Sequence, residues 1–545
     1  MDILTVVSIC LACSVILYAF YKRITRRILL SEVPGPEPGS FWLGNLPQVL
    51  QSEVGEVDWR WQEQFGGIVH MKGSFGDDRL WVSDPKALQY IYQTSGYNFP
   101  KQPERRVLSR LLSGEGILWA DGEVHKRHRK AMLPAFGQAE ARALVPIFNR
   151  CAAAITQKWR DRLLDTPEGS VDLNVALWLS SAALDAIGEA GFDYKFGCLD
   201  DLDNDLLRGY RKLMTQGAPP PSDGRILFLE ISHYIPMWIL DFIYDHFPSP
   251  SLQVLRDHRV VARKVAQELI DAQSDTDPAE TNGNKDVMSI LIRANKSLNE
   301  KMRLTDDEII DQMRVILLAG HETTGNTLAW ALMELAKNPS IQNRLRSEVH
   351  SMQAAIHARG DRELTASDFE SMPYTTAVVK EVLRMYPASF HQHRQAANND
   401  VLPVSKPITL KSGRIVSEIP IPRGTKVLLS VTAYNRNKDV WGEDAHVFNP
   451  DRWLDDDTTK RATNAGVYSN LLTFAGGVRG CIGWRFALNE LHAFLAELVA
   501  NFEFARTPEL DRLHKVACLA MTPNLDGDLS KGAQMPLRVS LASRE

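Results

Sequence analysis

Phe474-Ala475-Gly476-Gly477-Val478-Arg479-Gly480-Cys481-Ile482-Gly483 is the stretch that decides how this chain is read. Glycines, among them Gly477, Gly480 and Gly483, surround one cysteine, and Arg479 stands two residues before it. A cysteine sulfur that ligates a metal needs backbone N–H donors and room for close approach. Glycine supplies both, because it lacks a Cβ and tolerates positive φ. Such donors are expected to lower the thiol pKa from about 8.5 and favour the ligating thiolate. Arg479 is a permanent cation suited to a bidentate carboxylate partner. A helix is expected from Trp484 to Val499, with its positive end aimed at the sulfur. A lone Cys-x-Gly would read as a glycine turn; the whole string does not.

Upstream, Thr305-Asp306-Asp307-Glu308 forms a capping box, with Thr305 as cap and Glu308 reaching back. An apolar helical pattern then runs to Lys337 and stops at Asn338-Pro339. Its middle carries Ala319-Gly320-His321-Glu322-Thr323-Thr324. Glycine costs about 1 kcal/mol inside a helix and threonine is a weak helix former, so this interruption of a core helix needs a cause. Two further patches read as strands. Gly67 to Val82 alternates around a turn at Gly73-Ser74-Phe75-Gly76, and Val401 to Val431 is rich in Pro, Gly, Val and Ile. The expected fold is therefore mainly α with small β-sheets. Ala218 to Pro221 and Asp275 to Lys285 read as loops.

The 545 residues are 44% hydrophobic and 24% charged, an ordinary globular composition rather than that of a disordered or multi-span membrane chain. A net charge of −5 and no long basic block argue against nucleic-acid binding. Six cysteines (Cys10, Cys13, Cys151, Cys198, Cys481 and Cys518) show no CxxC pair and no zinc-type spacing. Cys151, Cys198 and Cys518 read as buried thiols in a reducing compartment.

At the N-terminus, Ile3 to Tyr21 is uncharged and would span about 28 Å as a helix, close to the hydrocarbon core of a bilayer. Lys22, Arg23, Arg26 and Arg27 follow at once. A cleaved signal peptide carries its basic residues before the apolar run, not after it, so residues 1–21 read as a retained single-pass anchor. The basic flank then stays cytosolic. Residues 22–40 contain Pro34-Gly35-Pro36-Glu37-Pro38-Gly39, a stiff extended joint, and residues 41–545 form one catalytic body.

The Cys481 string resembles the haem-binding signature of the cytochrome P450 superfamily, Phe-x-x-Gly-x-Arg-x-Cys-x-Gly, at every fixed position. Other segments resemble the family in the right order. Ala319 to Thr324 is similar to its oxygen-activating segment. Glu381-Val-Leu-Arg384 is similar to its ExxR pair. Phe448-Asn-Pro450-Asp-Arg452-Trp453 is similar to the arginine segment completing a network with Glu381 and Arg384. The anchor and the Pro-Gly-Pro joint resemble microsomal eukaryotic members. His125 to Gly137 and Lys285 to Asn295 look similar to fungal ones.

The resemblance implies haem b (iron protoporphyrin IX) held by the Cys481 thiolate, with Phe474, Gly477 and Gly483 shaping the cofactor loop. It implies Thr323 in oxygen activation, Glu322 in proton delivery, and Gly320 leaving space beside the distal face. Arg479, His125 and Arg129 are implied for the propionates; His125 stands where the family often has Trp. The segment Phe390-His391-Gln392-His393-Arg394 offers a second-propionate base, with His391 and His393 as candidates and no choice available from sequence. The implied reaction is insertion of one oxygen atom from O2 into an apolar small molecule. Electrons would come from NADPH through an NADPH–cytochrome P450 reductase, with cytochrome b5 as a second donor, at the endoplasmic reticulum membrane. Arg106, Arg110, Lys126 and Arg127 are candidates for docking that reductase. A terpenoid-like intermediate of secondary metabolism is the favoured substrate class, with fatty acids or xenobiotics as the alternative. A haem-thiolate isomerase or dehydratase and a non-catalytic haem protein are the rivals; the Glu322-Thr323 pair argues against the isomerase. The implied pocket draws on Phe99 to Ala120, Gly209 to Ile243, Val315 to Thr323, Ala388 to His391 and Ala517 to Thr522. The sequon Asn295-Lys296-Ser297 offers a test of topology, since a cytosolic body would leave it unmodified.

Overall fold

The computed structural model describes residues 30–202, 205–213, 219–274, 286–454 and 465–543. The proposed anchor at residues 1–21 lies outside them, as does the loop at 275–285. The helices that frame the site are α1 (Leu46–Gln51), α2 (Pro103–Ser113), α3 (Gly122–Met132), α4 (Val175–Phe192), α5 (Asp223–Ser232), α6 (Met237–His246), α7 (Asp306–Lys337), α8 (Pro373–Met385) and α9 (Trp484–Asn501). The capping box at Thr305 is formed in both directions, so α7 starts and stops where its cap and Asn338-Pro339 dictate.

α7 is the axis of the molecule and packs along α4. Two of its glycines permit the approach. A Cβ on Gly325 would lie 2.9 Å from the Ser180 Cα, and one on Gly320 would lie 2.8 Å from Ile187 Cγ1. Gly320 is therefore occupied by helix packing, not by the distal space expected of it. α4 is the one helix among the described residues that is long and apolar enough to cross a membrane, and it is sandwiched in the core. Being apolar on every face is what burial on every side requires.

A four-stranded sheet of order β1-β2-β7-β4 joins β1 (Ile68–Lys72), β2 (Asp78–Val82), β4 (His391–Gln395) and β7 (Lys426–Ser430). β2 and β7 pair in parallel, which fastens the early hairpin to the late strands. The long hairpin β5 (Asp400–Thr409) and β6 (Ile415–Ile421) stands beside it. The other strands are β3 (Ser170–Asn174), β8 (Phe502–Arg506) and β11 (Pro536–Leu541), ordered β3-β11-β8, and the pair β9 (Leu513–Ala517) and β10 (Met521–Leu525).

From residue 30 onward the expected joint is part of the packed body. Leu30 and Val33 are buried, the His70 N–H donates to the Pro34 carbonyl at 2.9 Å, and the Asn45 amide donates to the Glu37 carbonyl at 2.8 Å. A Cβ on Gly35 would fall 1.8 Å from the His70 carbonyl oxygen. The segment is extended, as its prolines demand, yet it lies against β1.

Candidate active site

Cys481 is the one accessible cysteine among the described residues; Cys151, Cys198 and Cys518 are buried. Its N–H donates to the Phe474 carbonyl at 2.8 Å, which closes the loop on itself. The glycines have different jobs. Gly477 has φ +60°, and a Cβ there would lie 1.8 Å from the Tyr92 carbonyl oxygen. Gly480 faces Val467, whereas Gly483 has an ordinary φ of −91° and no close neighbour. α9 begins at Trp484, and the Gly483 N–H at its entrance bonds the sulfur. The expected fall in the thiol pKa is not found. Burial pushes the Cys481 thiol up, and the Gly483 N–H and the Arg129 guanidinium only partly oppose it. Desolvation of a thiolate thus wins over two donors.

On α7, Ala319 and Thr323 are accessible within a run that is otherwise largely buried. The Thr323 hydroxyl donates to the Ala319 carbonyl at 2.7 Å, one turn back. Glu322 is buried, accepting a 3.4 Å bond from the Ser180 hydroxyl and lying 3.5 Å from His321 Nε2.

Cations gather beside the cysteine loop. Arg479 pairs with Asp121 and donates to the Gly96 carbonyl at 2.9 Å, while its Nε has no hydrogen-bond partner. Arg129 donates to the Gly480 carbonyl at 2.7 Å, and His125 Nδ1 lies 2.9 Å from the Tyr97 hydroxyl. Burial, then Lys101, Arg479 and Arg129, hold His125 down to about 3, so it stays a neutral ring. Lys101 and Arg394 complete the group. Burial, then Arg394, Arg479 and Arg106, bring the Lys101 ammonium down to about 7, with Asp121 alone opposing them.

Glu381 and Arg384 are fully buried. Arg384 Nε and Nη2 each donate to the Glu381 carboxylate at 2.8 Å. Arg452 Nε adds a third bond at 3.1 Å and Trp453 Nε1 a fourth at 2.9 Å. The Thr473 hydroxyl then donates to the Leu383 carbonyl at 2.6 Å, tying α8 to the cysteine loop.

The cytochrome P450 family model matches residues 34–526. The chain belongs to the cytochrome P450 family. It is 33% identical to cytochrome P450 monooxygenase 91 of Postia placenta over 93% of both chains. It is 31% identical to cytochrome P450 monooxygenase claQ of Ampulloclitocybe clavipes, covering 95% of this chain and 94% of the relative. The protein is thus a monooxygenase of a family that carries haem b on an axial cysteine. The residues of this P450 fit that group. Arg394 and Arg479 share one acid, Asp121, Arg129 stands beside Cys481, Lys101 is bound to the Ile117, Leu118 and Ala120 carbonyls, and the unpartnered buried Nε of Arg479 sits among them. Two propionates would supply the missing negative charge.

The structure corrects two of the expected cofactor contacts. His391 Nε2 lies 2.7 Å from Asp58, which also accepts from Trp81 Nε1 at 2.9 Å and the Ser430 hydroxyl at 2.7 Å. His393 lies beside Arg105 and lines a separate cavity with His391. Strand alternation sends Arg394 to the other face of β4, where its electrostatic neighbours are Tyr92, Arg479 and Asp121. Arg394, rather than either histidine, thus lies in the field of Arg479.

The expected reductase-docking cations are largely committed elsewhere. Arg110 pairs with Glu115 at 2.9 Å and with Asp241, Lys126 with Glu123 at 2.6 Å, and Arg127 with Glu308. Arg106 donates to the Trp119 carbonyl at 3.0 Å. The sequon cannot report topology, because Asn295 is buried with its amide on Leu304 in both directions, at 3.0 and 2.7 Å.

Proposed function

We propose that this P450 inserts one oxygen atom from O2 into an apolar, terpenoid-like intermediate of secondary metabolism, with electrons from NADPH through a membrane-bound cytochrome P450 reductase and cytochrome b5 as a second donor. The observation that carries the reading is the accessible Cys481 at the head of α9, in a loop held by Phe474 and Gly477 and flanked by cations in excess. Cys481 is the thiolate that ligates the iron. Because burial raises its pKa, the metal cation rather than the loop would stabilise its charge. Arg479, Arg129 and Arg394 hold the propionates, and neutral His125 donates to one of them.

The haem supplies the oxidising chemistry. Thr323 holds a proton at its hydroxyl oxygen, directed to the Ala319 carbonyl, and would supply it by rotation to the reacting face of α7. Buried Glu322 passes protons to that turn of α7 by way of its contacts with Ser180 and His321. Buried Glu381, Arg384 and Arg452 fix the loop and take no part in the chemistry.

Attachment to the endoplasmic reticulum is supported by the uncharged stretch Ile3 to Tyr21 and by exposed aromatics on one side of the body. Tyr234, Trp238 and Phe242 project around α5 and α6, with Trp238 73% exposed. Phe41 and Trp42 are likewise exposed next to α1, whose Gln51 amide bonds Pro221 and Asp223 at the start of α5. Tryptophan and tyrosine of this kind suit a bilayer interface.

The test is the difference spectrum of the reduced carbon monoxide complex together with NADPH and O2 consumption alongside a reductase. The wild type should show the red-shifted thiolate band and consume both. A band unaltered by Cys481→Ser would defeat the assignment.

A further inference from the structure

A cavity of about 230 Å³ lies between α2, α5 and the turn before β4. Leu108, Leu112, Phe390 and Leu519 give it an apolar wall, and Arg105 and Arg225 also line it. No aspartate or glutamate does. The cavity adjoins the reaction centre. The Leu112 carbonyl accepts from Arg314 of α7 at 3.3 Å, and Cys518 on its wall is close enough to Glu322 to feel that carboxylate.

Arg105 is the feature without an explanation in the fold. Its guanidinium makes no hydrogen bond or ion pair among the described residues, although burial disfavours its charge. The nearest carboxylates serve other cations. Glu104 lies 2.7 Å from Lys426, and Glu230 pairs with Arg79 and lies 3.1 Å from Lys426. His393 beside it is held neutral by burial and by Arg105 itself, so it adds no second positive charge there. A planar fork of five donors facing an apolar chamber matches a carboxylate bidentately.

We propose that the substrate of this P450 carries a carboxylate at the end of its apolar skeleton remote from the oxidised carbon, and that Arg105, with Arg225 lining the same cavity, anchors it. The inference rests on the monooxygenase reading and names the substrate class that reading leaves open. The anchor fixes one end of the molecule, and the apolar wall then sets which carbon reaches Thr323.

Two matched pairs of probes test it on the haem-loaded enzyme: dodecanoate against dodecanol, and farnesoate against farnesol. Binding is read from the shift in haem absorption and independently by equilibrium dialysis. A charge-assisted bidentate contact predicts that at least one acid binds about tenfold or more tighter than its alcohol. R105Q should erase that preference and leave alcohol affinity within about twofold. R105K, which keeps the charge without the fork, should fall between. The proposal is overturned if neither acid is preferred over its alcohol, or if R105Q weakens acid and alcohol alike. Should R105Q fail to fold, the wild-type preference decides alone. A missing thiolate band in the wild type would count against the monooxygenase reading instead, and dialysis would still report on the anchor.

Discussion

Replacing Glu381 by glutamine keeps the shape of the side chain and removes its charge. The donors that converge on this carboxylate are Arg384 Nε and Nη2 at 2.8 Å each, Arg452 Nε at 3.1 Å, Trp453 Nε1 at 2.9 Å and the Asn449 N–H at 2.8 Å. Glutamine offers a single acceptor oxygen and turns an NH2 donor toward the others in either orientation. Breaking one side of a buried ion pair costs about 3–5 kcal/mol, since Arg384 is left without a counter-charge and Arg452 keeps only the partly exposed Asp444. Unfolding entropy is about 2.1 cal/mol/K per residue. A chain of 545 residues therefore loses roughly 1 °C in Tm per kcal/mol, and Glu381→Gln should melt about 3–5 °C lower. Asp444 is the control. It pairs with the same Arg452 at 2.7 Å but its side chain is 44% exposed, and a screened pair is worth under about 1 kcal/mol. Asp444→Asn should therefore move Tm by less than about 1 °C. The assay is a far-ultraviolet circular dichroism melt of the haem-loaded protein at fixed scan rate, with haem retention followed in parallel because Thr473 ties α8 to the cysteine loop. A Glu381→Gln melt within about 1 °C of wild type, or an equal fall in Asp444→Asn, would refute the argument.

Gly477→Ala should lose most of its haem load, because the new methyl group meets the Tyr92 carbonyl at 1.8 Å on a residue with φ +60°; a normal haem-to-protein ratio would contradict this. Thr323→Ala should keep the carbon monoxide band while product formed per NADPH falls by about tenfold or more; unchanged coupling would remove Thr323 from proton delivery. Burial, then Arg314 and His321, hold His258 down to about 3. The unfolded chain takes up that proton near pH 6.5 and the folded one does not, so stability is lost as pH falls from about 6.5 toward 3, by up to about 1.4 kcal/mol per pH unit. His258→Phe should flatten that slope, which denaturant midpoints at pH 7, 6 and 5 would show; an unchanged slope would mean the ring is already protonated.

Local chemistry was legible in the sequence where it acts over a few residues. The Thr305 box, the stop at Asn338-Pro339 and the hairpin around Ser74 to Gly76 all form as their residues require. Gly320 was misread because a glycine in a helix states only that something comes close, and here that something is Ile187 of α4 rather than a ligand. The Cys481 thiol was misread because donors can be counted along a loop while burial cannot. Desolvation depends on what the rest of the chain brings alongside, and it outweighs both the Gly483 N–H and Arg129. Arg110 and Arg127 could be named only as docking candidates, because Asp241 and Glu308, which neutralise them, are far away in sequence.

The histidines of β4 show how one strand can serve two sites. A strand alternates, so His391 and His393 must face away from Gln392 and Arg394, but sequence alone does not say which pair meets the cysteine loop. The register with β7 settles it: His393 stands opposite Leu428 and Arg394 opposite Val427. One face then places Arg394 in the field of Arg479 and Asp121, and the other turns His393 toward Arg105 and the cavity. A one-residue slip of β4 would exchange these faces, setting a neutral ring beside Arg479 and a third guanidinium in the cavity that Arg105 and Arg225 line. The β-sheet pairing, and not any single side chain, is what keeps Arg394 and the cavity lined by Arg105 on separate sides of the same strand.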